Sequence, residues 1–360
     1  MKLGLPSWLR RGANAPAAPD AAAAPPPPPP GDAPQPRHAR RWPWITAVAV
    51  LVIAIAWGVS FYWSREPAVL WVVAETPTGE RTVVGYSTVH TLIDVTEWLL
   101  EKPGGYLSND VMPPGLWLDN MPSFEFGVLT QSRDLARVLR NNHSRSQSQS
   151  TEDEDLSIAE PALNTANDSW LFPAAEARYR DAIEALRSYE TRLTDADPGN
   201  AQFYARADNL REWLVVVELR LGSLSQRLSA SVGQARVNTD LGGAPAGAAA
   251  RESNGEVIVK TPWLEIDEVF YEARGTAWAL LLYLRAAQFD FERTLEDKNA
   301  IVSLRQIIRE LEEGLGPIGS PIILNGRGFG IFPNHSLVLA SYLSRAHSAV
   351  ADLRSLLEQG

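Results

Sequence analysis

The residues with the greatest capacity for chemistry lie in one aperiodic stretch, Lys102 to Ser123, KPGGYLSNDVMPPGLWLDNMPS. Asn109, Asp110, Asp119 and Asn120, with Glu125 just beyond, supply oxygen ligands, and Tyr106 and Trp117 supply flat apolar faces. Rings that stack and carboxylates that bond hydroxyls are the parts of a sugar site. The same oxygens suit calcium, which takes six to eight of them, but no EF-hand spacing is present. The plainer reading is that Asn and Asp make Asx-turns while the aromatics fasten the loop to its support. A second candidate is Asn325-Gly326-Arg327-Gly328-Phe329-Gly330, where glycines admit an anion close to the backbone and Arg327 pairs with it. It lacks the strand-to-helix G-x-G-x-x-G context and any following Gly-Lys-Ser/Thr, so a glycine turn is the simpler reading. A third is the carboxylate group Glu265, Asp267, Glu268 and Glu272, in which Glu268 and Glu272 share a helix face. Glycosidases use such pairs, and solvated acidic faces are far commoner.

Other chemistries are absent. His38, His90, His143, His335 and His347 show no H-E-x-x-H and no metal-ligand spacing. There is no G-x-S-x-G, no S-x-x-K and no cysteine. Zinc hydrolysis, penicillin-binding chemistry and thiol catalysis are therefore disfavoured, and no cofactor is expected.

The elements that must hold these residues are mostly helices. Ser87 is placed to cap one with Val89, Leu92, Ile93, Thr96, Leu99 and Leu100 on its apolar face. Ser123 is placed to cap the next, from Phe124 to about Arg140. Trp170-Leu171-Phe172-Pro173 introduces a third, Asn200 begins a long fourth, and Thr261-Pro262 opens the most apolar one, through Leu284. Two more follow, one from about Asp297 to Gly314 and one capped by Asn334. This is a bundle of six or seven helices. It has two long irregular loops, Lys102–Ser123 and Gly316–Pro333, with a Gly/Ala linker at Leu241–Gly255 and a short hairpin around Thr76–Gly79.

Ahead of the bundle stands Ile45 to Trp63, ITAVAVLVIAIAWGVSFYW, which carries no charge. At roughly 1.5 Å per residue it measures ~30 Å, the thickness of a bilayer core. Trp42 and Trp44 flank one end and Phe61, Tyr62 and Trp63 the other, as aromatic belts do. Ala54-Ile55-Ala56 matches a signal-peptidase site, but the apolar run continues past it. The first 44 residues are basic and proline-rich, with a charge of +4, and the remainder carries −14. Positive residues stay inside, so the N-terminus is expected in the cytoplasm. An acidic body repels phosphate backbones and excludes nucleic acid as a partner.

Several of these stretches carry a family likeness. Lys102–Asp110, Met112–Gly115, Leu118–Pro122, Phe124–Val128 and Ser144–Ser148 resemble a bacterial inner-membrane family known as domain of unknown function 2333. The layout of one span followed by a helical body fits as well. The resemblance implies an envelope protein and supplies no catalytic residue.

The expectation is therefore a mainly α chain in three parts: a tail over 1–44, a transmembrane helix over 45–63 and an exported helical domain over 64–360. It sits in a bacterial inner membrane and binds an envelope protein or the cell wall without catalysis. The alternative is a hydrolase or glycan-binding protein acting on peptidoglycan. The candidate ligand residues are Tyr106, Asn109, Asp110, Trp117, Asp119, Asn120, Glu125 and Arg327.

Overall fold

A computed structural model describes residues 42–69, 72, 83–145, 151–195, 197, 200–237, 251–253, 256–320, 322–326 and 330–359. The proline-rich tail, nearly all of the expected hairpin, Ser146–Ser150, Pro198-Gly199 and most of the Gly/Ala linker lie outside the described residues. The fold is mainly α, as the apolar spacing predicts. Ten helices are present among the described residues: α1 (Trp42–Trp63), α2 (Tyr86–Glu101), α3 (Asn120–Val138), α4 (Glu154–Leu163), α5 (Ala175–Thr194), α6 (Ala207–Ser229), α7 (Ile266–Asp290), α8 (Glu292–Asp297), α9 (Ile301–Gly314) and α10 (His335–Glu358). Contacts divide the chain into Met1–Leu51 and Val52–Gly360. In the first unit the described residues are helical and apolar; the second holds the later turns of α1 and the whole bundle.

The bundle is built around α7. Every residue from Ala273 to Leu284 is buried, which explains why its sequence is apolar all round rather than striped. Helices α2, α3 and α9 pack against it, α10 lies against α6 and α9, and α5 lies against α2 and α4. The closest crossing is with α3. A Cβ on Gly127 would stand 2.1 Å from the Glu272 carbonyl oxygen, and one on Gly275 would stand 2.0 Å from that of Phe124. Two glycines, one on each helix, thus set this interaxial distance. A hydroxyl pair, Ser132 Oγ and Tyr283 Oη at 2.7 Å, satisfies two polar groups beneath the crossing.

Several helix starts differ from the local sequence signals, and each difference has a tertiary cause. Ser87 does not cap α2. The helix starts at Tyr86 after Gly85 in the left-handed region, and the Asp290 carboxylate caps it from the end of α7. Asp290 accepts from the Gly85 amide at 2.9 Å, the Thr88 amide at 2.7 Å and the Thr88 hydroxyl at 2.6 Å. Helix α3 begins four residues before Phe124, capped by Asp119 rather than Ser123. The segment after Asn200 is not helical. Its Asn200 and Gln202 carbonyls accept from Arg192 and Tyr189, and its Tyr204 amide donates to His143, so its backbone is held by neighbours until α6 begins at Ala207. Thr261-Pro262 leads into a 3₁₀ turn, Trp263–Glu265, whose apolar side chains are exposed and not on the core face. Asn299, at positive φ, separates an additional short helix, α8, from α9, so the helix expected from about Asp297 begins at Ile301. Asn334 caps α10 as expected, its Oδ1 accepting from the Leu337 amide at 2.9 Å.

The region around the expected Gly/Ala linker also carries strand, which an all-helical body does not include. Three short strands, β1 (Gln234–Val237), β2 (Arg251–Ser253) and β3 (Glu256–Val259), form an antiparallel sheet in the order β1-β3-β2. Gln234 pairs with Val259 and Arg251 with Ile258. The end of the expected linker is thus a strand.

The glycine crossing yields a direct test. Gly275→Ala and Gly127→Ala each force α3 and α7 apart and cost about 3 kcal/mol of stability, the upper range for overpacking. Gly319→Ala, where an added Cβ meets nothing within 4 Å, leaves the denaturation midpoint within error.

Candidate ligand-binding site

The two irregular loops meet. Trp117, Leu118 and Asn120 from the first and Pro317, Ile318 and Ser320 from the second line one cavity of about 540 Å³. Its remaining walls are the last turns of α1 (Trp57, Ser60, Phe61), the segment Ser64–Glu66, and Tyr271 and Arg274 of α7. This size and mixture of rings with a few polar groups are those of small-ligand pockets.

The cavity is positioned by three contacts along α7. Trp278 Nε1 donates to the Ala68 carbonyl at 3.2 Å. Arg274 forks onto Glu66, with Nε 2.8 Å from Oε1 and Nη2 2.5 Å from Oε2. Arg274 also donates to the carbonyls of Gly316 at 3.1 Å and Leu315 at 3.3 Å, closing the end of α9. Trp63 lies over Gly104, whose φ of +92° and bare Cα make room for the indole. The last turns of the apolar helix are thereby built into the bundle.

Within the cavity the Glu66 and Arg274 charges cancel. Arg65 is exposed and lies 5.7 Å and 5.9 Å from the Phe61 and Tyr62 ring centroids, a cation stacked against aromatics. Asn120 presents a buried amide oxygen with no hydrogen-bond partner. Beside the cavity, burial pushes the Asp267 and Glu268 carboxyls up, and the nearby Asp119 charge pushes them further. The structure thus brings together Asp119 of the first sequence candidate and Asp267 and Glu268 of the third. Glu272 is not part of this group, because it forms a two-pronged pair with Arg227, both bonds at 2.6 Å.

The other predicted ligand residues serve the scaffold. Glu125 is fully buried. It accepts from the Leu107 amide at 3.0 Å, the Ser108 amide at 2.8 Å and the Ser108 hydroxyl at 2.5 Å, and pairs with buried Lys102 at 2.5 Å. Burial pushes its carboxyl up, against the pull of Lys102 and of these donors. Asn109 donates to the Ser169 carbonyl at 2.9 Å and to Glu176 at 2.8 Å, tying the loop to α5. Tyr106 is buried edge-on to Tyr179 at 5.4 Å. Asp110 fills the space left by the missing side chain of Gly115. Arg327 lies outside the described residues. The amide of the neighbouring Gly326 donates to the Pro333 carbonyl at 3.0 Å, next to an isolated antiparallel bridge between Asn325 and Asn334. Of the eight candidates, Trp117 and Asn120 line the cavity, and Asp119 stands beside it. No group of three His, Cys, Asp or Glu side chains suited to a metal occurs among the described residues.

Sequence reasoning missed Trp57, Phe61, Tyr271, Arg274 and Ile318. Arg274 carried a signal: it is a single cation near the start of the most apolar helix of the body, where an unpaired charge is not tolerated.

The fold and site define a class of helical protein in which one apolar helix is joined to the bundle and helps wall a cavity at the junction. The chain belongs to the family described as uncharacterized protein conserved in bacteria, domain of unknown function 2333, which matches residues 37–360. That match bears out the resemblance carried by the loop residues, and its description names neither an activity nor the inner membrane. Comparison with curated proteins and with solved structures gives no match.

Two of the three acidic candidates, Glu125 and Asp119, separate by mutation. Glu125→Ala strands buried Lys102 and two backbone amides and costs about 3–5 kcal/mol in chemical denaturation. Asp119→Ala removes an exposed cap and costs about 1 kcal/mol.

A pH test concerns His143, buried between Phe203 and Phe291. Burial lowers its pKa from 6.5 to about 4. The unfolded chain therefore binds a proton that the folded chain refuses. The contribution is complete above pH 6.5 and is lost as pH falls toward 4, by about 3 kcal/mol. The His143→Gln variant is expected to show a shallower fall of stability over that window, read as a slope from denaturation at each pH.

Proposed function

We propose that this chain is a single-pass protein of a bacterial inner membrane. Its N-terminus is cytoplasmic, its helical body is exported, and the body binds cell-wall glycan in the cavity without cleaving it. The observation that carries the reading is the junction itself. A 20-residue helix, Trp44–Trp63, is long and apolar enough to cross a membrane, and none of its most apolar window is buried in the protein. Its final turns are also a wall of the binding cavity. The same test of length and composition admits a signal sequence, but the A-x-A match lies inside an unbroken helix that runs on to Trp63. The charge of +4 over the first 44 residues against −14 beyond supports the direction.

A glycan suits the cavity because Trp117, Tyr271, Trp57 and Phe61 offer ring faces, Asn120 an unpaired acceptor, and Ser60, Ser64 and Ser320 hydroxyls. Catalysis has less support. Glu125 is spent on Lys102 and the loop amides, and Glu272 on Arg227.

Sedimentation of the detergent-solubilised full chain with isolated peptidoglycan tests the binding. Trp117→Ala is expected to weaken retention roughly three- to tenfold, the worth of one stacked ring, with unchanged melting and no new soluble muropeptides. Equal retention of both proteins would remove the glycan reading, and released muropeptides would restore the hydrolase. An alkaline phosphatase fused to the C-terminus is expected to be active; an inactive fusion reverses the orientation.

A further inference from the structure

We infer that the end of the body bearing the N-terminus of α7 rests in the headgroup layer of the bilayer, so that exposed apolar side chains of the second loop and the 3₁₀ turn dip into lipid. The inference rests on the anchored reading above and adds a second, independent membrane contact to it.

Its direction comes from the order of contacts along α7. Ala68 meets Trp278, Glu66 meets Arg274, and Phe61 and Trp57 share the cavity with Tyr271. Following the chain backward into α1 therefore climbs α7 toward its N-terminal end. That end carries four large, strongly exposed apolar side chains. Trp263 is 81% and Leu264 75% exposed in the turn that precedes α7. Ile331 is 97% and Phe332 68% exposed in the second loop. The second loop is set beside the first turn of α7 by His335, whose ring lies 6.3 Å from that of Phe270.

Two segments of unrelated sequence, the 3₁₀ turn and the second loop, thus present Trp, Leu, Ile and Phe on the side from which the apolar helix arrives. Such residues are costly in water and suit the headgroup–acyl boundary, where amphipathic surfaces sit about 5–10 Å deep. The fixed charges nearby are Lys260 and Arg65 against Asp119, Glu265, Asp267 and Glu268, so attraction to anionic lipid does not hold this face down. Seating is by apolar burial and is insensitive to salt.

The chain has no cysteine, so single-cysteine spin labels report depth without background. The full chain is placed in vesicles of phosphatidylethanolamine with a minor share of phosphatidylglycerol. Labels are attached to Trp263→Cys, Ile331→Cys, Ile53→Cys within α1, and Val302→Cys. Val302 is itself 76% exposed and begins α9 next to α8, at the opposite end of α7. Collision with oxygen relative to a water-soluble nickel chelate is expected to be severalfold higher at 263 and 331 than at 302, and highest at 53, with no change on adding salt. If 263 and 331 match 302 while 53 reads as bilayer, the seating is wrong and the anchor stands. If 53 also reads as water, the anchor itself fails. Protection at 263 and 331 that disappears when labelled protein is diluted into excess lipid assigns the face to a second copy of the chain and overturns the proposal.

Discussion

The guanidinium of Arg274 is the interaction on which the geometry depends. It is nearly fully buried, in the most enclosed helix of the bundle, where an unpaired cation would cost several kcal/mol. The planar fork answers that cost on two sides. One edge takes the Glu66 carboxylate, three residues past the end of α1, and the other takes the carbonyls that close α9. A lysine could not do both, because its point charge lacks the divergent donors. The same group therefore satisfies a helix C-terminus, fixes the chain leaving the apolar helix and leaves the Glu66 charge neutralised at the cavity wall. Bundle, apolar helix and second loop share one bolt.

The carboxylates of the first loop follow a related logic. Gly104 and Gly105, both at positive φ, turn the chain sharply after α2, and the amides of Leu107 and Ser108 beyond the turn have no helix to bond within. Glu125 accepts from both, and Lys102 balances its charge. Such a loop is rigid because its polar groups are used internally. The price is that its most suggestive residues cannot serve a ligand. The chemistry left over lies where the loop ends, at Trp117, Asp119 and Asn120, whose side chains point away from that network toward α1 and α7.

What could be read from the sequence was what local periodicity encodes. The apolar faces of α2, α5, α6 and α10 and the Asn334 cap follow from spacing of three and four residues and from short-range hydrogen bonding. The apolar run is legible for the same reason, since length and composition alone define it. Illegible features depend on partners far along the chain. The cap of α2 is Asp290, about 200 residues away, and no local signal reports it. The Asn200–Arg206 segment has a helical pattern but spends its backbone groups on α5 and on His143. The candidate site was half legible. Both loops were recognisable by their lack of period, and their meeting was not, because it is arranged through Arg274, Glu66 and the end of α1.

The position of that meeting bears on the kind of task the body can perform. A cavity walled by the last turns of an apolar helix is tied to whatever that helix is embedded in. On the anchored reading, Phe61 stands at the headgroup level, and a ligand touching it and Trp117 is held at the membrane surface. Apolar seating of the adjacent loops would limit rocking of the body about α1, so that the mouth of the cavity keeps a constant height above the lipid. Rigid loops, a cancelled charge pair and an aromatic wall are poor tools for bond cleavage and good ones for holding something in place. On the proposed reading, such a protein fixes the distance between bilayer and ligand: the buried charges maintain shape, and the exposed rings make contact.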